Sequence, residues 1–190
     1  MKTFASIAIA ALFSATLASA QVETYEIDPV HSTVAFKIRH LGISWVNGNF
    51  GEFGGTVTFD PAKPENSTAH ITVKATSVDT RNSKRDTHLR SDDFFDVAKH
   101  AALEFKSTAV KKTGDTTYEV TGNLSILGVS KPITVTFTDL GKATGPQGEA
   151  RRGGETSFSL KRTDFGMSKN VGPIGEEVQV TLAFSGVKKS

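Results

Sequence analysis

Residues 28–55 read DPVHSTVAFKIRHLGISWVNGNFGEFGG, and the fold turns on how this stretch is paired. From Thr33 the pattern is that of a strand. Side chains alternate faces in a strand, so Val34, Phe36, Ile38 and His40 point the same way. Beyond them Gly48, Phe50, Phe53 and Gly55 alternate small and aromatic side chains. The first face is apolar until it ends in an imidazole. Such a surface suits the wall of a pocket for an apolar ligand with a polar head, and it equally suits the edge of an ordinary core.

Working outward, the chain reads as β almost throughout. Tyr25 and Ile27 share one face of a short first strand, and a third strand is expected from Phe50 to Phe59, stopped by Asp60-Pro61 because proline cannot donate to a ladder. Further alternating runs carry Ala69, Ile71, Val73 and Ala75; Leu103 and Phe105; Tyr118, Val120, Gly122, Leu124 and Ile126; and Ile133, Val135 and Phe137. The last two carry Phe158 with Leu160, and Val178, Val180, Leu182 and Phe184. Each run is bounded by turn chemistry, the signature of half-buried strands. Thr113–Asp115 and Gly128–Pro132 read as hairpin connections, and Gly141–Gly154 as a Gly-rich mobile loop. Residues 79–100 break the pattern with many charges and few β-branched residues. Asn82–Leu89 is expected to make two helical turns, with Ser91 capping a second short helix through Phe94 and Phe95. About eight antiparallel strands with one helical insertion indicate a sandwich or a closed barrel.

Composition narrows the function classes. The first 20 residues have a positive start, an apolar run from Ile7 to Leu17 and the small-x-small site Ala18-Ser19-Ala20, the pattern of a cleavable signal peptide. The expectation is therefore a periplasmic or secreted protein whose residues 21–190 form one domain. Loss of Lys2 with the leader lowers the formal net charge from +2 by one, too little for a nucleic-acid partner. With no Cys in the chain, packing and strand pairing alone must hold an exported domain together.

Asp28, His31 and Ser32 invite a triad reading, but three residues within five positions rarely reach triad geometry, and no Gly-x-Ser-x-Gly elbow is present. A brace at the start of the strand is the simpler role. The five His show no metal-ligand spacing. Asp164-Phe165-Gly166 lacks the surroundings of a kinase motif. No catalytic residue, metal or cofactor is expected.

Several separated motifs carry a resemblance. They are Asp28-x-x-His31-Ser32; His40; Gly48-x-Phe50 with Phe53-x-Gly55; Arg85-Asp86-x-His88-Leu89; and Asp93-Phe94-Phe95-Asp96. Gly122-x-Leu124-x-Ile126-x-Gly128-Val129 with Lys131-Pro132, and Arg162-x-Asp164-Phe165-Gly166, complete the set. In this order they resemble the YceI-like family over about residues 22–187. The resemblance implies an all-β fold, an extended eight-stranded antiparallel lipocalin-like β-barrel with the helical insertion at its end. It also implies an apolar channel holding a polyisoprenoid or similar amphiphile, export, and a tendency to dimerise. The implied lining, consistent with the strand parities, is Phe36, Ile38, His40, Phe50, Val57, Phe59, Ile71, Val73, Phe105, Leu124, Ile126, Val135, Phe137, Phe158, Leu160, Val180 and Leu182. A polar rim or gate is expected from Arg85, Asp86, His88, Phe94, Phe95, Arg162 and Asp164.

Burying a methylene contributes roughly 0.8 kcal/mol, so a fifteen-carbon tail gains about 12 kcal/mol before ordering costs. The tail supplies affinity, and selectivity falls to channel length and rim. The expected function is a non-enzymatic carrier of an isoprenoid lipid, quinone-like or a polyprenyl phosphate, with a membrane redox or lipid-processing protein as a further partner. The competing class is a stress-response or interaction scaffold with a solid core.

Overall fold

The computed structural model describes residues 21–189. The opening stretch begins after β1 (Glu23–Ile27) and folds into β2 (Thr33–His40), β3 (Ser44–Phe50) and the start of β4 (Phe53–Phe59). The expected single strand Phe50–Phe59 is thus two strands. The chain turns back at Leu41–Ile43, and Gly51-Glu52 interrupts it again. Next come β5 (Thr68–Lys74), β6 (Val78–Asp79) and the helix α1 (Ser83–Arg90). The long strands β7 (Ala102–Lys112), β8 (Thr117–Ile126), β9 (Val129–Thr144), β10 (Ala150–Lys161) and β11 (Ile174–Lys188) complete the chain.

Pairing runs β1-β4-β5-β7-β8-β9-β10-β11 and closes β11 onto β1, giving an eight-stranded antiparallel barrel. The other three strands extend its wall. β2, β3 and β6 continue β1, β4 and β5 beyond kinks. β11 pairs with β1 at Ile27↔Gly186 and with β2 at Thr33↔Ala183. The kinks are bonded to their neighbours. The Gly51 N–H donates to the Ser77 carbonyl at 3.1 Å, and the Lys74 N–H to the Glu52 carbonyl at 2.9 Å. At the third kink Asp28 accepts the Val30 N–H and pairs with His31 and Arg151. Bonds from Arg151, His31 and Val30 hold its carboxyl far below the usual range.

One seam is only half sewn. β9 and β10 pair from Ala150↔Thr144 to Thr156↔Phe137 and then diverge. Val129–Thr136 remains paired to β8, and Ser157–Lys161 to β11. Pro132, expected in a loop, lies in this part of β9 opposite Asn123. A proline next to the open seam forfeits no bond to β10. The β8–β9 connection is only Leu127-Gly128, both at positive φ (53° and 72°), the two-residue turn suited to a twisted hairpin.

Two further expectations are corrected. Gly141–Gly154 is mostly strand, since β9 and β10 extend to Thr144 and Ala150. α1 is a single helix whose N-cap Asn82 accepts the Arg85 N–H at 3.0 Å. Ser91 ends it rather than starting another: its N–H and hydroxyl both donate to the His88 carbonyl. The following turn nevertheless brings Phe94 and Phe95 under the helix. Phe94 stacks edge-on against His88 and Phe95 against Phe50.

Candidate ligand-binding cavity

The barrel is hollow. A continuous cavity of about 860 Å³ runs along its axis, near the top of the range for small-molecule sites. All seventeen side chains expected on the lining parities border it. The reason is that each straight run keeps its own alternation, although the inward parity changes at every kink: from Tyr25 and Ile27 to Val34 and Phe36, from Phe50 to Val57, and from Val73 to Val78. Leu89, Leu103, Ile133, Phe165, Met167 and Ile174 also border it. Phe165 ends a short 3-10 helix (Arg162–Phe165) after β10 and Met167 lies just beyond it, where no strand period exists to reveal an inward side.

The aromatic rings do not fill this space because glycines let them lie against the wall. An added Cβ on Gly48 would come within 2.3 Å of the Phe36 ring, on Gly122 within 2.5 Å of Phe105, and on Gly154 within 2.1 Å of Phe137. Each phenyl therefore packs flat over a glycine on the neighbouring strand.

The floor is sealed. Tyr25, Ile27, Phe59, Val110, Tyr118 and Phe184 form a buried cluster there. Arg152, itself buried, lies 3.5 Å from the Phe59 ring centroid and makes two hydrogen bonds to Asp139, at 3.0 and 2.6 Å. Beside it Glu23 accepts from the Tyr25 hydroxyl and pairs with Lys142 and Lys188. Burial pushes the Glu23 carboxyl up, but these three partners outweigh it and hold its pKa at about 2.

The opposite end is polar. His40 lines it and is exposed. Arg85 also lines it and is tied to Thr80 by bonds of 2.7 Å to the hydroxyl and the carbonyl oxygen. Asp86 does not reach the cavity. It is buried and accepts the Thr80 N–H at 2.9 Å and the Thr80 hydroxyl, so it anchors the helix. Asp164 is exposed and also stands outside the lining. His88, Phe94 and Phe95 border the cavity. Asp93 clips this cover together, bonding His88 at 2.8 Å and Lys169 at 3.0 Å.

Arg162 is the most constrained polar group at this end. It is 3 % exposed, and its guanidinium donates to the carbonyls of Gly175, Met167, Lys169 and Ile174 at 2.7–3.1 Å. Among the described residues it has no ion-pair partner within 4 Å. Desolvation lowers its pKa, only partly offset by Glu176, yet arginine stays charged. The charged lining is accordingly cationic: Arg39, Lys84, Arg85 and Arg162 against the carboxylate of Glu104.

The triad reading of Asp28, His31 and Ser32 does not survive the geometry. The Ser32 hydroxyl is committed to Ser185, and His31 turns to Asp28.

A closed antiparallel barrel around an apolar cavity, sealed below and polar above, defines a ligand-holding β-barrel protein. The YceI-like domain model matches residues 25–185, and the chain belongs to that family. A UPF0312 protein of Azotobacter vinelandii is 42% identical over 189 residues, covering 99% of this chain and 98% of its own. The crystal structure of Burkholderia cenocepacia BcnA shares the fold, with TM-score 0.77 at 24% identity over 84% of this chain and 98% of that one. So does a polyisoprenoid binding domain from Saccharophagus degradans, with TM-score 0.67 at 16% identity over 87% and 98%.

Proposed function

We propose that this protein is an exported, non-catalytic carrier that holds an isoprenoid lipid with its tail in the barrel and its head at the polar end. The continuous apolar cavity carries this reading, because hydrocarbon makes no hydrogen-bonding demand on such a wall. The polyisoprenoid-binding name of the Saccharophagus domain agrees with it. The cationic lining further favours a polyprenyl phosphate over a neutral quinone, since an anionic head is the natural partner of a buried arginine without a carboxylate. Residues 1–20 would serve as the cleaved leader, and the cover carrying Phe94 and Phe95 as the gate.

The test is direct. The purified protein is extracted with organic solvent and the extract analysed by mass spectrometry. The stripped protein is then offered a polyprenyl phosphate, the matching polyprenol and a quinone. Uptake of the phosphate ahead of the other two is expected. Failure to co-purify or take up any of them would return the protein to the scaffold class.

A further inference from the structure

Large apolar side chains cluster in the open at one place, the turn between β2 and β3. Leu41 is 57% exposed, Ile43 84% and Trp45 37%. The Leu41 N–H donates to the Pro173 carbonyl at 2.7 Å, which pins the turn to the loop carrying Val171, itself 45% exposed. Residues 41 and 42 have φ of 52° and 72°, the same Leu-Gly turn that joins β8 to β9. That turn needs neither the exposed Ile43 nor the exposed Trp45. The turn follows directly on His40, so it projects beside the polar end of the cavity.

Charge surrounds the apolar tip. Lys37 and Arg39 lie over the Trp45 ring, at 4.9 and 4.2 Å from its centroid, and neither is in an ion pair among the described residues. Of the nearby acids, Asp93 pairs with Lys169, while Glu176 and Glu177 accept from the Thr163 and Ser159 hydroxyls and form no ion pair with Lys37 or Arg39. Aliphatic side chains at the apex, the indole with Arg39 opposite it in the next level, and Lys37 one level further back follow the order of a bilayer boundary. Hydrocarbon, interface and phosphate succeed one another in the same sequence.

We propose that this tip docks the mouth of the barrel on an anionic lipid bilayer. Leu41 and Ile43 enter the acyl region, Trp45 sits at the interface, and Lys37 and Arg39 meet lipid phosphates. A second copy is the poorer occupant, because a two-fold contact at this turn would set Lys37 and Arg39 against their own counterparts. No helix among the described residues is long and apolar enough to cross a membrane, and this docking needs none. The carrier reading gives the docking its purpose, since cargo would then pass between bilayer and cavity without crossing water, but the docking is tested without cargo.

Trp45 is the chain's single tryptophan, so its fluorescence reports the tip alone. Stripped protein is mixed with isoprenoid-free vesicles of phosphatidylethanolamine and phosphatidylglycerol, and in parallel with phosphatidylcholine vesicles. Blue-shifted emission, quenching by brominated lipid and co-flotation are expected on the anionic vesicles, weaker on the neutral ones. Leu41→Asp with Ile43→Asp should weaken flotation at least about tenfold while leaving the melting temperature unchanged. Lys37→Glu with Arg39→Glu should remove the preference for anionic vesicles. Should the aspartate variant fail to fold, quenching of the unmodified protein decides alone. Unmoved emission with no flotation on either vesicle overturns the proposal. So does a dimer in light scattering that the aspartate variant dissociates without any vesicle binding, which would make the tip an interface between copies. Either result leaves the cargo assay untouched.

Discussion

Ser32 and Ser185 repair the barrel's closing seam with a side chain. Where β1 ends and β2 has not begun, the Ser185 N–H donates to the Ser32 hydroxyl oxygen at 2.9 Å, and that hydroxyl donates back to the Ser185 carbonyl at 3.1 Å. The carbonyl has a second donor in the Asp28 N–H at 2.8 Å, but the N–H has only the serine. Ser32→Ala should therefore lower stability by about 1–2 kcal/mol, the cost of a half-buried donor left without its acceptor. Chemical denaturation reads this, and Ser32→Thr should restore most of the loss. An unchanged midpoint in the alanine variant would show that the seam closes without the serine.

The Phe36–Gly48 pair offers a test of why the barrel is hollow. Gly48→Ala must drive the Phe36 ring off the wall, since the new methyl would stand 2.3 Å from it. The expected result is a loss of about 1–3 kcal/mol from overpacking, together with reduced amphiphile uptake. Combining it with Phe36→Ala should recover uptake and much of the stability, a coupling that a double-mutant cycle measures. Additive effects would mean that the ring does not rest on the glycine.

Much of this was legible in residues 28–55 and their alternation. Period-two patterning holds within each straight run, so the lining could be read run by run, even though the inward parity shifts from even at Phe50 to odd at Val57 across Gly51-Glu52. The kinks themselves were hidden. Nothing local says that Gly51-Glu52 will be bonded to Ser77 and Lys74. The rim was harder for a different reason. Asp86 and Asp164 lie close in sequence to true lining residues, but an α-helix and a 3-10 helix turn each side chain by its own angle. One points to Thr80 and the other to solvent. The floor's Arg152–Asp139 pair was obscured by the glycines around it, which suggested a loop where two strands continue.

Acid should act first on the floor. Glu23 has its pKa lowered from the ordinary 4.5 to about 2, so its ionised form stabilises the fold fully above 4.5. That contribution fades as pH falls through the lower value, because the folded protein then must take up the proton it had resisted. The melting temperature of Glu23→Gln should lie below that of the unmodified protein at pH 6, and the two should converge as pH approaches 2. A gap that stays constant across that window would place the stabilisation elsewhere.

Arg162 binds four carbonyls with one planar fork, and lysine cannot reproduce that geometry. Arg162→Met should lower stability by about 2–4 kcal/mol, since hydrogen bonds to a charged donor are worth more than neutral ones. It should also erase the preference for an anionic over a neutral amphiphile. Arg162→Lys should lose stability yet keep part of that preference. Equal uptake of phosphate and alcohol by the unmodified protein would confine the arginine to a structural role.

The divergence of β9 and β10 above Phe137 and Thr156 makes the barrel resemble a clothes peg. The Thr156 hydroxyl bonds the Thr136 carbonyl at 2.8 Å and marks the pivot. Below it, spreading the wall means breaking backbone pairs. Above it, no pair joins the two jaws, and each is backed by an intact neighbour in β8 or β11. Widening the upper girth at this seam therefore breaks no backbone pair, whereas widening the base would.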